Sequence, residues 1–188
     1  MRLVLSIVVF VLIPLKMYVA ALVVFAIAAS TDWIDGWYAR KYGLVTKLGR
    51  VFDPFVDKII VCGAFIFLAA VPQMLGARLP ASGIAAWMAV VVVAREMLVT
   101  ALRSFFEEGG TDFSAKWAGK WKMLFQCLAI GLSLYRLTYF DASPPPSWRA
   151  EPPQWLTVAL HASVWTALAL TVYSGWDYVQ AALRMIRK

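Results

Sequence analysis

Apolar runs of bilayer-spanning length constrain this chain more than any other feature. Met17 to Ala39, Val51 to Val71, Ser82 to Leu102, Trp117 to Tyr139 and Trp155 to about Ala182 are each predominantly apolar. Roughly 20 such residues suffice for a helix to cross the ~30 Å hydrocarbon core. A shorter run, Leu3 to Leu15, reaches only about 20 Å at 1.5 Å per residue. It lacks the small-residue cleavage site of a signal peptide. Hydrophobic residues make up 62% of the chain, where a soluble domain holds about half, and no stretch is large enough to form a separate soluble domain. The expected fold is an all-α integral membrane protein of six transmembrane helices, with residues 1–188 as one domain.

The segments between the runs orient it. Pro72 and Pro80 bracket one turn, Phe105 to Lys116 is polar with a short amphipathic look, and Asp141 to Gln154 reads as a stiff proline-rich external loop. Six spans put both termini on one side. That side carries Arg2, Arg40, Lys41, Lys47, Arg50, Lys58, Arg95, Arg103, Lys116, Lys120, Lys122, Arg184, Arg187 and Lys188, and leaves only Lys16, Arg78, Arg136 and Arg149 for the other. The positive-inside rule makes the richer side cytoplasmic. The net charge of +7 then reflects anionic lipid heads and phosphorylated substrates; no nucleic-acid module is present. Nine tryptophans, among them Trp33, Trp37, Trp117, Trp121, Trp148 and Trp155, cluster near span ends as an interfacial belt does.

Several chemistries are excluded by count. His161 is the only histidine, so neither a histidine triad nor an HExxH metal site can be built. Cys62 and Cys127 lie in separate apolar runs and read as small buried hydrophobes, not as a disulfide framework or zinc site.

Four aspartates stand out against this background. Asp32, Asp35, Gly36 and Ala39 close the second run and share one helix face by their spacing; Gly49, Asp53 and Asp57 open the third at i, i+4, i+8. Antiparallel neighbouring helices would bring the two stripes together at the cytoplasmic boundary. Clustering carboxylates there is costly, through partial desolvation and mutual repulsion. Without histidines or thiols, the donor set suits hard ions such as magnesium or manganese. Two such ions would neutralise the cluster and could grip a diphosphate. Gly36, Ala39 and Gly49 remove side-chain bulk, and Arg40 suits a phosphate. Solvated loop charges paired with Arg40, Lys41 and Arg50 would not fall on two helical stripes with small residues interleaved. An ion-coupled transporter would place its acids nearer the midplane.

The pattern D-x-x-D-G-x-x-A-R, eight residues, then G-x-x-x-D-x-x-x-D is filled by Asp32, Asp35, Gly36, Ala39, Arg40, Gly49, Asp53 and Asp57. It resembles the signature of the CDP-alcohol phosphatidyltransferases. Ala94-Arg95-Glu96, Ala101-Leu102-Arg103 and Gly119-Lys120-Trp121-Lys122 are similar to stretches of the bacterial phosphatidylglycerophosphate synthases within that family. The resemblance implies a six-helix, homodimeric enzyme of the bacterial inner membrane, with its active site facing the cytoplasm. It implies transfer of a phosphatidyl group from CDP-diacylglycerol to glycerol 3-phosphate with release of CMP. Cardiolipin, phosphatidylinositol phosphate and phosphatidylserine synthesis are the alternatives within the family. By the same resemblance, Asp32, Asp35 and Asp53 are the main metal ligands, and Asp57 is a further metal contact and the candidate general base. Asp32, Gly36, Ala39, Arg40, Gly49 and Asp53 bind the cytidine diphosphate. The acceptor phosphate needs a second basic pocket, for which Arg95 is the leading candidate because an unpaired arginine in an apolar run is costly; Arg103, Lys120 and Lys122 follow. Family members carry an Asn-Pro-x-x-x-Thr-x-x-Arg segment before the first span, of which Arg2 would be the last residue. The short first run is therefore expected to lack its N-terminal part.

Overall fold

The structure is a computed structural model that describes residues 2–42, 47–72, 79–108, 117–140 and 151–186, apart from the side chains of residues 32–42, 47–57, 106–108, 117, 118, 120 and 186. Among the described residues six helices follow one another: α1 Arg2–Leu12, α2 Tyr18–Tyr42, α3 Lys47–Ala69, α4 Ala86–Glu108, α5 Trp117–Leu137 and α6 Gln154–Ile186. No β-strand occurs among the described residues, so the all-α expectation holds. The external loop expected around 140–154 falls mostly outside them.

Local chemistry sets the helix ends. Beyond α1, the Met17 amide donates to the Leu12 carbonyl at 3.0 Å and the Lys16 amide to Ile13 at 3.0 Å, the paired bonds of a Schellman motif. The motif needs a left-handed residue, and Lys16 takes that place at φ 60°. The fourth helix begins at Ala86, four residues later than the apolar run suggested. The reason is a turn in which the Gly83 amide donates to the Pro80 carbonyl at 2.8 Å and Gly83 adopts φ 74°. This turn is pinned to the end of α5. Ser133 Oγ donates to the Ser82 carbonyl at 2.7 Å, and Arg136 Nη1 to the Ala81 carbonyl at 2.6 Å. At its other end α4 runs on to Glu108, into the segment expected to be a separate amphipathic piece.

α5 lies at the centre, packed on α2, α3 and α6, while α1 packs on α2 and α3. α4 packs on α3 and α6 but, among the described residues, not on α5. That gap between α4 and α5 is where the polar site lies. Elsewhere the interior is apolar: Phe65, Leu68, Met88, Ile130, Leu134 and Leu160 are fully buried.

The exterior is apolar as well. Val4, Ile7, Val11, Val23, Ile66, Val90, Met97, Leu124, Val158, Trp165 and Val172 all face outward and exposed. Water does not tolerate such continuous apolar cover, so this is the surface of a membrane protein. Among the described residues one helix, over Gln154–Met185, is long and apolar enough to cross a bilayer by itself, and Arg2–Leu12, Tyr18–Thr31 and Lys58–Ala69 are shorter apolar stretches. The remaining helices carry charge within their length: Arg95, Glu96 and Arg103 in α4, Lys120 and Lys122 in α5.

Replacing Gly83 by alanine puts a Cβ at a positive φ and 2.8 Å from Leu160 Cδ2. The variant is expected to lose about 1–3 kcal/mol, read as a lower thermal unfolding midpoint in detergent, with Ala85→Gly as a control outside the turn.

Candidate active site

The charged residues inside the apolar helices converge. Glu96 of α4 is at the centre and is only 7% exposed. The Lys122 ammonium, reaching across from α5 and itself 6% exposed, donates to Glu96 Oε1. Arg95 Nη1 donates to the same oxygen at 3.2 Å. On α3, Lys58 Nζ donates to Thr100 Oγ1, and that hydroxyl in turn donates to the Glu96 carbonyl at 2.6 Å. Three helices are thus tied through one residue of α4.

α6 contributes a polar face. Thr171, Ser174 and Tyr178 recur at helical spacing. Arg95 Nη2 donates to Ser174 Oγ at 2.9 Å, and its guanidinium lies 5.7 Å from the centre of the Tyr178 ring, a cation–π distance. Gly175 makes room for the arginine stem: a Cβ there would meet Arg95 Cγ at 3.1 Å. Gln126 of α5, also buried, donates to Thr171 Oγ1 at 3.2 Å.

Between α3, α4 and α5 these groups enclose a cavity of about 190 Å³, lined by Lys58, Val61, Glu96, Arg103, Gly119, Lys122, Met123 and Gln126. Its mixed lining is more polar than that of two grooves along α3 and α4, which share Val93 and Met97. By helical register Asp57 precedes Val61 by one turn, so the Gly49–Asp53–Asp57 stripe leads along α3 to the cavity wall. Lys58 follows that stripe directly in the chain.

The residues expected from sequence divide accordingly. The backbone of Asp32, Asp35, Gly36, Ala39 and Arg40 lies in α2 and that of Gly49, Asp53 and Asp57 in α3; their side chains, and that of Lys120, lie outside those described. Among the described residues no three His, Cys, Asp or Glu come together as metal donors. Of the basic candidates, Arg103 and Lys122 line the cavity. Arg95 stands behind Glu96, turned toward α6. Sequence reasoning missed Lys58, Gln126, Thr171, Ser174, Gly175 and Tyr178. For the four on α6 the available signal was a small and hydroxylated face opposite an arginine that needed partners; Lys58 and Gln126 had none beyond polarity within an apolar run.

Comparisons with known proteins identify the family. The profile described as CDP-alcohol phosphatidyltransferase matches residues 1–177, and the chain belongs to that family. It is 35% identical over 162 residues to the CDP-diacylglycerol–glycerol-3-phosphate 3-phosphatidyltransferase of Bacillus subtilis, covering 86% of this chain and 72% of that one. It is 38% identical over 168 residues to a probable phosphatidylglycerophosphate synthase of Mycobacterium tuberculosis, covering 89% and 68%. With the Escherichia coli CDP-diacylglycerol–glycerol-3-phosphate 3-phosphatidyltransferase it shares 30% identity over 165 residues, covering 87% and 78%.

Ser174→Ala removes a hydrogen bond to a charged, largely buried partner. Its expected cost is about 1.5–3 kcal/mol, measurable as a lower unfolding midpoint; Thr157→Ala, away from this network, is expected to leave the midpoint near wild type.

Proposed function

We propose that the protein transfers the phosphatidyl group of CDP-diacylglycerol to glycerol 3-phosphate, releasing CMP. The observation that supports this reading is the cavity lined by the cations Lys58, Arg103 and Lys122. The names of the bacterial relatives supply the substrates. An acceptor that carries its own phosphate needs such a pocket; a neutral alcohol does not. Inositol phosphate would also meet the charge requirement, and the relatives' names favour the glycerol ester.

The donor's head lies along Asp32, Gly36, Ala39, Arg40, Gly49 and Asp53. The absence of bulk at Gly36, Ala39 and Gly49 lets the nucleotide approach the helix backbones, and Arg40 takes a phosphate. Asp32, Asp35, Asp53 and Asp57 are hard oxygen donors on two helices, a set that fits magnesium or manganese, and they would hold two ions. When bound, these ions offset the charge of the diphosphate and of the departing CMP. Asp57 takes the proton from the acceptor hydroxyl as its oxygen attacks the β-phosphorus of the donor, and the bond to the CMP oxygen breaks. Arg103, Lys120 and Lys122 hold the acceptor phosphate, with Arg95 behind them, so that its hydroxyl points back toward Asp57.

In this reading the helices form six spans in the bacterial inner membrane, with the active site on the cytoplasmic side, where most basic residues lie. The working unit is a homodimer.

Purified protein is expected to release CMP from CDP-diacylglycerol only with glycerol 3-phosphate and magnesium or manganese present, and chelation is expected to stop turnover reversibly. No release with any of glycerol 3-phosphate, inositol phosphate, serine or phosphatidylglycerol would remove the transferase reading. Asp57→Asn is expected to fold but lower kcat by about 10²–10⁴-fold; turnover near wild type would remove its role as base.

A further inference from the structure

We infer that Glu96 is a positioning residue for the acceptor phosphate, holding Lys122 at the cavity wall and Arg95 against α6. The inference rests on the proposed acceptor, and it starts from the gap between α4 and α5. These helices do not pack on each other among the described residues, so side chains alone span the space. The Lys122–Glu96 ion pair is what crosses it. A lysine stem is flexible and its ammonium is a point charge. At 6% exposure Lys122 stays in place only with a counter-charge, because a buried cation without a partner costs several kcal/mol.

Glu96 fills that role without using up the lysine. An ammonium has three N–H donors, and the carboxylate engages one face of it. Lys122 therefore keeps donors for a phosphate in the cavity that it lines together with Lys58 and Arg103. The formal charges of the lining residues come to +2: three cations, Lys58, Arg103 and Lys122, and one anion, Glu96. A phosphate monoester carries about −1.5 to −2 near neutral pH. A doubly charged acceptor matches that formal sum, and an uncharged alcohol does not.

Arg95 Nη1 shares Glu96 Oε1 with the Lys122 ammonium, and its second terminal nitrogen is held by Ser174. Glu96 thereby bridges the two cations and offsets their mutual repulsion. One is drawn toward α6, and the other is presented to the ligand.

The test is the steady-state kinetics of Glu96→Gln against wild type, with CMP release as the readout and each substrate varied separately. The KM for glycerol 3-phosphate is expected to rise about tenfold or more, the loss of one charge-assisted contact. The KM for CDP-diacylglycerol is expected to stay within about twofold and kcat within about threefold. Glu96→Asp, which keeps the charge but shortens the reach, is expected to recover part of the loss. An unchanged or lowered acceptor KM in folded Glu96→Gln protein overturns the inference, and so does an equal rise in both KM values. If Glu96→Gln does not fold, Glu96→Asp carries the test: a raised acceptor KM alone supports the role, and a wild-type value overturns it. The wild-type arm judges the acceptor reading separately, since absence of turnover with glycerol 3-phosphate there would count against the proposed reaction. Glycerol 3-phosphate protection of the purified protein against thermal unfolding would then be compared between wild type and the variant: loss of protection in the variant supports the role, and equal protection, or none in either protein, overturns it.

Discussion

Most of the polar architecture depends on one ion pair, Lys122 with Glu96. It joins α5 to α4 across a space that backbone packing leaves open. Through Glu96 the link continues to Arg95 and on to Ser174 of α6, and through Thr100 to Lys58 of α3. In an environment with no water to solvate stray charges, such a network must be nearly complete to be tolerated. Removing one member leaves another buried and unpaired. The same incompleteness cost explains why the cations stay ordered in a cavity instead of extending to the membrane surface, as lysines near helix ends do.

The rest of the fold serves to hold that cavity open. α5 is anchored at its far end by Ser133 and Arg136, which clasp the carbonyls of the 80s turn, and along its length by apolar contacts of Ile130, Leu134 and Leu137. α4 rests on the same two helices, α3 and α6, that α5 packs on, and α5 is held by α2 as well. Among the described residues α4 and α5 share these supports without packing on each other. The Gly83 turn sets where α4 begins, and so the height at which Glu96 meets Lys122.

Much of this was legible in the sequence, for identifiable reasons. Apolar runs report helices because lipid-facing and core-facing positions are both hydrophobic, and six runs gave six helices close to their expected bounds. The boundaries that moved did so through turn chemistry that hydropathy does not register: Ala81, Ser82 and Gly83 are as small and apolar as a helix start, but a positive φ at Gly83 commits them to a turn. The helical backbone at Asp32 and Asp35 in α2 and at Asp53 and Asp57 in α3 was legible from the runs that hold them; their side chains lie outside those described. Arg95 was recognisable as needing partners. Its pairing with Glu96 was foreseeable from their adjacency, but the choice of Ser174 and Tyr178, 79 and 83 positions further on, is a product of tertiary packing. Lys122 could be read as basic and interfacial, not as buried.

The division of labour between Arg95 and Lys122 follows from their chemistry. A guanidinium is a rigid planar fork whose donors point in several fixed directions and whose faces stack on aromatic rings. Arg95 uses these properties together: one arm on Glu96, another on Ser174, and a face near Tyr178. Such a group suits a permanent tie between α4 and α6. An ammonium has no plane to satisfy and can share its donors between a fixed carboxylate and an arriving anion with little rearrangement. Lys122 lines the cavity, while Arg95 does not. A lysine at position 95, with its single ammonium and no planar face, could not reproduce the fork that reaches Glu96 and Ser174 while lying over Tyr178.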